Sequence, residues 1–204
     1  DSAETDSIFV TTAEGAAQAT LMAIPPERHA RLLTRMLDER EFLSHFGIRS
    51  LSAAYRGGST VRLPSGELSI TYTPGESDTG LFGGNSNWRG PVWMPVNVLL
   101  ADALRVYAAG AGAGLRVEFP SGSGTLLDLG EVADQLEGRL VALFRPGPDG
   151  RRPSDPRDHL SGPLWSVHPV FSEYFHGDTG VGLGATHQTG WTACLLYTSD
   201  AADE

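Results

Sequence analysis

The sequence contains no lysine and a single cysteine. All fifteen of its basic residues are arginines, which we attribute to a GC-rich coding sequence rather than to fifteen separate needs for a guanidinium group. With only Cys194 available, no disulfide can form within the chain. The lone cysteine therefore says little about the compartment in which the protein works.

Long apolar runs are also absent. The chain has no stretch of eighteen or more apolar residues and no basic-then-apolar leader at its start. Neither a membrane span nor a secretory signal is predicted, so we expect a cytoplasmic location. Residue 1 does not look like a native start, however, and the signal of a longer precursor would not be visible.

Positive charge is scarce as well. The formal net charge is −10, and no basic cluster exists beyond Arg151 and Arg152. Nucleic acids need a concentrated positive face to neutralise their phosphates, so this class of partner is excluded. Neutral or polar small molecules remain as ligands.

What the sequence does contain is enough apolar material for a core. Its 204 residues are 40% hydrophobic and 20% charged, which suits one globular domain or part of a larger one. The last residues, CLLYTSDAADE, break the preceding pattern and resemble a translated sequencing adapter. We therefore predict a domain over residues 1–193 and a foreign tail over 194–204, the alternative for the tail being a frayed native terminus.

The hydrophobic pattern predicts mainly helices. Residues 25–47 have Pro26 in a first-turn position and apolar residues at helical spacing. A segment at 60–73 reads as a hairpin or a long loop around a Pro-Ser-Gly turn rather than as a larger sheet, and the Pro-rich segment 145–163 reads as a loop. A further helix is predicted at 92–110, which is apolar enough to be buried on more than one side. Another is predicted at 129–144, with Val132, Leu136, Leu140 and Leu143 on one stripe. A last helix is predicted to start near the end of 181–193.

The segment LFGGNSNWRGPVWMPVN, residues 81–97, has a composition that suits neither a helix nor a strand. It places Trp88 and Trp93 within six positions, around Arg89 and among turn-forming residues. Exposed tryptophans are costly without a use. A ligand-binding segment is the interpretation that this composition favours.

The segment SEYFHGDTGVGLGATHQTGW, residues 172–191, combines acidic groups and histidines with five glycines. Glycines let the backbone approach a substrate without Cβ clashes. Glu173 is flanked by Phe171, Tyr174 and Phe175, so its carboxylate is a candidate for proton transfer from a partly apolar pocket. From these residues alone, an ordinary surface glutamate is an equally good interpretation.

Both segments resemble glycoside hydrolase family 63. EYFHGDTGVG aligns without gaps to the family pattern Glu-Asn-Tyr-Asp-Pro-x-Thr-Gly-x-Gly, and NWRGPVWMPVN is similar to Tyr-Trp-Arg-Gly-Pro-Ile-Trp-x-x-Val-Asn. The closer similarity is to bacterial family-63-like proteins of the mannosylglycerate-hydrolase type, in which segments like RMLDEREFLSHFGIRSLS and GLFGGNSNWRGP come before EYFHGDTGVGLGATHQTGWT. It covers roughly residues 24–193, and we find no resemblance in residues 1–23.

The resemblance implies an all-α fold, a partial (α/α)6 barrel with long loops, and inverting hydrolysis of an α-glucoside or α-mannoside. Inversion requires an acid and a base whose carboxyl groups lie roughly 6.5–9.5 Å apart. Glu173 matches the family's base. The acid, an aspartate, is expected before residue 1 in a missing part of the same polypeptide, so the chain alone should be nearly inactive. No cofactor or metal is implied, and the expected partner is a carbohydrate rather than nucleic acid or a membrane.

The resemblance also implies a sugar pocket around the base. Trp88 and Trp93 would offer flat faces to sugar C–H groups or pack the pocket floor, while Arg89 would bind hydroxyls or orient Glu173. The alternative for Trp93, as for Asn97, is a purely structural role in bracing the start of the following helix. A half-barrel should also expose helix faces and self-associate.

Further pocket groups are implied in the second segment. His176, His187 and Gln188 are candidate hydrogen-bonding groups, and Trp191 occupies the place of an aromatic that follows the family's base. Residues 174–177, Tyr-Phe-His-Gly, depart from the family's Asn-Tyr-Asp-Pro. Because these changes line the pocket, the natural sugar is left open.

Four other interpretations are weaker. A metal site from His168, His176 and His187 fits no compact ligand spacing. Asp78 as the general acid lies outside the family's acid motif and is explained as a turn residue. Cys194 as a nucleophile belongs to the suspect tail. GNSNW is not a nucleophile elbow. From a different functional class, a non-catalytic carbohydrate-binding or structural module remains the main alternative to an enzyme.

Overall fold

The computed structural model of the chain describes residues 9–12, 19–22, 26–80, 86–111, 115–155, 163–187 and Trp191. Its helices are α1 (Pro26–Met36), α2 (Met94–Ala111), α3 (Leu129–Ala142) and α4 (Pro163–Val167), with a 3-10 turn over Ala53–Gly57. Its strands are β1 (Phe9–Thr12), β2 (Ala19–Met22), β3 (Leu43–Ser44), β4 (Gly47–Ile48), β5 (Ser59–Leu63), β6 (Gly66–Ile70), β7 (Arg116–Glu118), β8 (Leu126–Asp128), β9 (Ser172–Phe175) and β10 (Gly182–Thr186).

The strands pair consecutively. Within the described residues they form five two-stranded antiparallel sheets, β1–β2 through β9–β10. The prediction of an all-α fold is therefore wrong, because the chain mixes helices with short hairpins. The reason is local: several connections turn at glycines with positive φ, such as Gly66 (φ 135°) and Gly180 (φ 75°), where a helix cannot continue. The predicted hairpin over 60–73 is confirmed by β5 and β6.

The core lies between α1, α2 and α3. Leu33 and Leu37 from the α1 region pack with Ala101 and Leu104 of α2 and with the buried face of α3. The stripe predicted for α3 is confirmed, since Val132, Leu136, Leu140 and Leu143 are all fully buried. The helix begins at a capping box in which the Asp128 carboxylate accepts from the Glu131 amide and the Glu131 carboxylate accepts from the Asp128 amide.

Helix α1 is shorter than the predicted helix, which was expected to end just before Gly47. It ends at Met36, and the chain then turns at Asp38, whose carboxylate accepts from the Arg40 amide at 2.8 Å. The guanidinium of Arg49 donates to the carbonyls of Glu39 and Glu41, both at 3.2 Å, and to the Leu43 carbonyl. In a continuing helix these carbonyls would accept hydrogen bonds from backbone amides four residues later, but here they accept from the Arg49 guanidinium. The helix therefore does not extend through them.

Helix α2 is present as predicted, with Pro95 in its first turn, but its burial differs from the prediction. One face packs on α3, while Val96, Leu99 and Val106 are 41%, 68% and 73% exposed. The expectation of burial on more than one side is therefore wrong for this stripe. No helix in the described ranges is long and apolar enough to cross a membrane.

The remaining predictions concern the C-terminal third. The loop predicted over 145–163 is confirmed for residues 145–155, and α4 begins at its last position. Residues 182–186 form strand β10, and the helix predicted near the end of 181–193 falls on residues of which only Trp191, itself helical, is described. Residues 192–204, including the predicted foreign tail, lie outside the described residues.

Candidate active site

The two motif segments lie side by side because Val92 pairs with Phe175. Their backbones exchange two hydrogen bonds, from Val92 N to the Phe175 carbonyl at 2.8 Å and from Phe175 N to the Val92 carbonyl at 2.9 Å. Val92 also forms an antiparallel bridge with Arg49. This pairing places Trp93, which follows Val92, beside Tyr174, which precedes Phe175.

An aromatic stack connects these segments. The rings of Trp88 and Trp93 are parallel within 4°, with centroids 3.9 Å apart, and the Trp93 ring stacks on Tyr174 at 4.8 Å. Trp191 contacts Trp93 at 5.3 Å in a tilted arrangement. Trp93 is 2% exposed and Tyr174 is fully buried, whereas Trp88 is 42% exposed. The stack therefore has buried inner rings and one partly exposed outer ring, that of Trp88.

Trp93 and Asn97 have structural partners. The indole nitrogen of Trp93 donates to the Asn87 carbonyl at 2.9 Å. The Asn97 side chain accepts from the Ile48 amide at 2.6 Å and donates to the carbonyls of Ile48 and Trp93 at 3.0 and 2.9 Å. Asn97 thus joins the start of α2 to β4, which is the bracing role that the sequence allowed.

Glu173 is half-buried on β9, and its two oxygens have different partners. Ser86 Oγ donates to one carboxylate oxygen at 2.9 Å, and the backbone amide of Ala185 donates to the other at 3.2 Å. One partner comes from each motif segment, so the carboxylate lies where the two segments meet. Carboxylate oxygens keep further lone pairs, which leaves Glu173 able to accept another hydrogen bond.

Arg89 does not contact Glu173. Its side chain is buried, and its guanidinium pairs with the Asp78 carboxylate. The hydrogen bond from Arg89 lowers the pKa of Asp78 below its usual value. Arg89 Nε is buried and has no hydrogen-bond partner among the described residues. The structure thus assigns Asp78 an ion-pairing role with Arg89.

The loop of residues 73–78 links the tryptophan segment to the β9–β10 hairpin. On one side, Asn87 Nδ2 donates to the carbonyls of Thr73 and Gly75 at 2.6 and 2.7 Å, and Thr73 N donates to the Arg89 carbonyl at 2.6 Å. On the other side, Gly177 N donates to the Pro74 carbonyl at 3.0 Å. The 73–78 loop therefore has backbone contacts with both motif segments.

Glu76, in the middle of this loop, is a site residue that the sequence analysis missed. Its carboxylate accepts from the Tyr174 hydroxyl and from the Gly184 amide, the latter at 3.0 Å. Burial, the hydrogen bond to Glu76 and the nearby charge of Glu173 together raise the pKa of Tyr174. The only sequence signal was an acidic residue in a Pro-Gly turn, which many surface loops share.

A β-bulge on β10 lies directly against Glu173. The pairing of β9 with β10 shifts register between Leu183 and Thr186, so Gly184 and Ala185 lie outside the regular ladder. Gly184 has φ 68°, and a Cβ at this position would lie 2.7 Å from a Tyr174 ring carbon and 2.8 Å from a Glu173 oxygen. Bulges of this kind re-aim groups beside active sites.

The turn of the hairpin is held by Asp178. Its carboxylate accepts from Tyr72 Oη at 2.8 Å, from Arg56 at 2.9 Å and from Arg49 at 3.4 Å. Burial raises the pKa of Asp178, but the hydrogen bonds from Arg56 and Tyr72 outweigh it and leave the pKa below its ordinary value. No sequence pattern indicates this cluster, because its members are far apart along the chain.

The histidines of the second segment lie in different settings. His176 Nδ1 accepts from the amides of Asp178 and Thr179 at 3.1 and 3.3 Å, so its ring caps the hairpin turn. His187 is exposed directly after β10, with φ 57°. Gln188 lies outside the described residues. No group of three His, Cys, Asp or Glu side chains able to hold a metal ion occurs in the part of the chain that the structure describes.

Two comparisons identify relatives. The model of a family described as the mannosylglycerate hydrolase MGH1-like glycoside hydrolase domain matches residues 4–192, and so includes residues 4–23, where we had found no resemblance. Uncharacterized protein YMR196W of Saccharomyces cerevisiae is 46% identical over 180 residues, which are 86% of this chain and 16% of the yeast protein. The chain thus spans a small part of the length of the curated relative it matches.

Proposed function

Because the chain belongs to the family of mannosylglycerate hydrolase MGH1-like glycoside hydrolase domains, we propose that it is the base-bearing part of a glycosidase that cleaves an α-glucoside or α-mannoside with inversion. The observation that carries the proposal is the meeting of Glu173 with the aromatic stack. Sugar binding and water activation require an aromatic surface and a carboxylate in one site, and the two segments that form the stack also supply Ser86 and Ala185, which hold Glu173.

Glu173 is the general base in this proposal. Ser86 and the Ala185 amide hold its two oxygens and so restrict the rotation of the carboxylate. One remaining lone pair would accept a hydrogen bond from a water molecule and then its proton, as that water attacks the sugar on the face opposite the leaving group. The general acid that inversion also needs is proposed to lie in the remainder of the polypeptide. The length of the yeast relative supports this proposal, because the chain spans only 16% of it.

Trp88 is the sugar platform. Its partly exposed ring continues a stack whose inner members are buried, so the ring is held in place before any ligand arrives. Flat aromatic surfaces of this kind pack against the apolar C–H faces of sugars, while nearby polar groups bind hydroxyls. Arg89, buried and paired with Asp78, is proposed to hold this segment rather than to contact the sugar.

The test is Glu173→Gln in the intact protein, assayed with aryl α-glucosides and α-mannosides. Glutamine keeps the shape and one acceptor oxygen but cannot take a proton at neutral pH, so kcat should fall by about 10²- to 10⁴-fold. Glu67→Gln, a change on the exposed strand β6, is the matched control and should leave kcat unchanged. Turnover retained in Glu173→Gln would exclude Glu173 as the base.

A carbohydrate-binding module without hydrolysis is the second candidate. The observation that favours it is that Trp88 lies on an open surface, while a cavity of 660 Å³ lies elsewhere, against α1 and α2. If the intact protein binds methyl α-glycosides but neither it nor Glu173→Gln shows turnover above background, this candidate replaces the glycosidase.

A further inference from the structure

We propose that Glu76 is a positioning residue for Glu173, acting through the bulge at Gly184 and Ala185 and through Tyr174. The inference rests on the proposed function, because it assigns a supporting role for the same base. It concerns a residue that neither the motif resemblance nor the sequence pattern singled out.

The first step is that two carboxylates hold two successive amides. The Gly184 amide donates to Glu76 at 3.0 Å, and the next amide, that of Ala185, donates to Glu173 at 3.2 Å. In a regular strand, successive amides point to opposite sides, but here the ladder is interrupted between Leu183 and Thr186. The orientation of the Ala185 amide therefore depends on how the Gly184 peptide is held, and Glu76 holds it.

The second step runs through Tyr174, the neighbour of Glu173 on β9. Tyr174 is fully buried, and its hydroxyl donates to the other oxygen of Glu76. A buried hydroxyl without a partner is costly, so this contact fixes how far the ring extends towards the loop. The same ring supports Trp93, so Glu76 holds the base strand and the end of the aromatic stack together.

The third step is that the backbone around Glu76 is held in place. Its loop is attached to the tryptophan segment by the Asn87 bonds to Thr73 and Gly75 and by the Arg89–Asp78 ion pair. The backbone contact from Gly177 to the loop attaches it to the hairpin as well. Glu76 is thus an exposed carboxylate whose backbone is fixed on both sides, which is what a positioning contact requires.

Simple stabilisation does not account for a second carboxylate here. Glu76 and Glu173 carry like charges and bind adjacent amides of one strand, and like charges in proximity disfavour each other. A neutral acceptor would satisfy the Gly184 amide without that repulsion. The arrangement is explained if both oxygens of Glu76 are needed, one for the amide and one for the Tyr174 hydroxyl.

The experiment compares Glu76→Ala and Glu76→Gln with the control Glu67→Ala. Glu67 is also an exposed carboxylate, and it forms an ion pair with Arg62 within its own hairpin. In the ¹⁵N-labelled chain, the amide proton of Ala185 should move upfield in Glu76→Ala, because its bond to Glu173 is weakened although neither partner has been changed. Glu76→Gln keeps one acceptor oxygen, so the shift should be intermediate, and Glu67→Ala should give none.

In the intact protein, Glu76→Ala should lower kcat about 10- to 100-fold, as expected when a reacting group is misplaced, and change KM less than about threefold. Glu76→Gln should recover part of the loss. An unchanged Ala185 amide together with an unchanged kcat in a folded Glu76→Ala would overturn the inference. If Glu76→Ala does not fold, Glu76→Gln provides the test. A wild-type Ala185 amide shift together with a wild-type kcat in Glu76→Gln would also overturn the inference.

Failure of the proposed function gives a different result. In that case Glu173→Gln turns over substrate as well as the wild type does, whereas the Ala185 amide still moves in Glu76→Ala. Positioning of the Glu173 carboxylate would then stand as a structural fact without a catalytic consequence.

Discussion

Gly184 allows the sharpest test of the site geometry. Replacement by alanine has two separate effects. The backbone has φ 68°, a left-handed conformation that costs a residue with a Cβ about 1–2 kcal/mol. In addition, the new methyl group would lie 2.7 Å from the Tyr174 ring and 2.8 Å from a Glu173 oxygen. Overpacking of this kind costs typically about 1–3 kcal/mol more.

Gly124→Ala separates the two effects. Gly124 has φ 76°, similar to Gly184, but nothing lies within 4 Å of the Cβ that alanine would add. Urea unfolding followed by circular dichroism measures the free energy of unfolding of both variants. Gly184→Ala should lose about 1–3 kcal/mol more than Gly124→Ala. Equal losses would show that the bulge is not packed against Tyr174 and Glu173, and the positioning argument for the base would fail with it.

Two more variants test the surroundings of the base. Trp88→Ala should abolish binding of methyl α-glucoside or methyl α-mannoside, measured by saturation-transfer NMR. It should lower the free energy of unfolding by less than the about 3–5 kcal/mol typical of a fully buried tryptophan, because Trp88 is 42% exposed and loses its stacking on Trp93 together with only part of a core residue's burial. Unchanged binding would remove Trp88 from the site. Asp178→Asn tests the hairpin turn. The folded-state pKa of Asp178 is lowered, so its ionised form stabilises the fold above its unfolded pKa of about 3.9, and this stabilisation is lost as pH falls through the folded pKa. The stability difference between wild type and Asp178→Asn, from urea unfolding at pH 7 and pH 3, should therefore shrink at pH 3; a difference independent of pH would contradict the pairing with Arg56 and Tyr72.

Local patterns predicted the elements whose causes are local. The stripe of α3 was predictable because its apolar residues repeat at helical spacing, and β5–β6 because a Pro-Ser-Gly turn separates two β-prone runs. The end of α1 was not predictable, since it depends on the Arg49 guanidinium binding carbonyls up to ten residues away. The all-α expectation failed for a different reason: it came from a family resemblance, while the two- to five-residue strands are too short to give a periodic signal.

The site was predictable only in part. Glu173, Trp88 and Trp93 were singled out by their residue types and by the resemblance, and the structure brings the Glu173 strand and the tryptophan segment together. Their support was not predictable. Glu76 contacts Tyr174 across 98 positions of sequence, and Asp178 contacts Tyr72 across 106. Such pairs leave no pattern in a single sequence, because each partner reads separately as an ordinary loop residue.

The adjacency of the two motifs also constrains how mutations at the site should combine. Val92 pairs with Phe175, and on either side of that pair Trp93 stacks on Tyr174 while Ser86 and Ala185 hold Glu173. The base and the sugar platform are therefore parts of one packed unit rather than two independent groups. Contacting residues show interaction energies of about 0.5–3 kcal/mol in double-mutant cycles, whereas separated residues are nearly additive. Changes to the stack should consequently alter the effect of changes at the base, even though Trp88 and Glu173 lie 85 positions apart in the sequence.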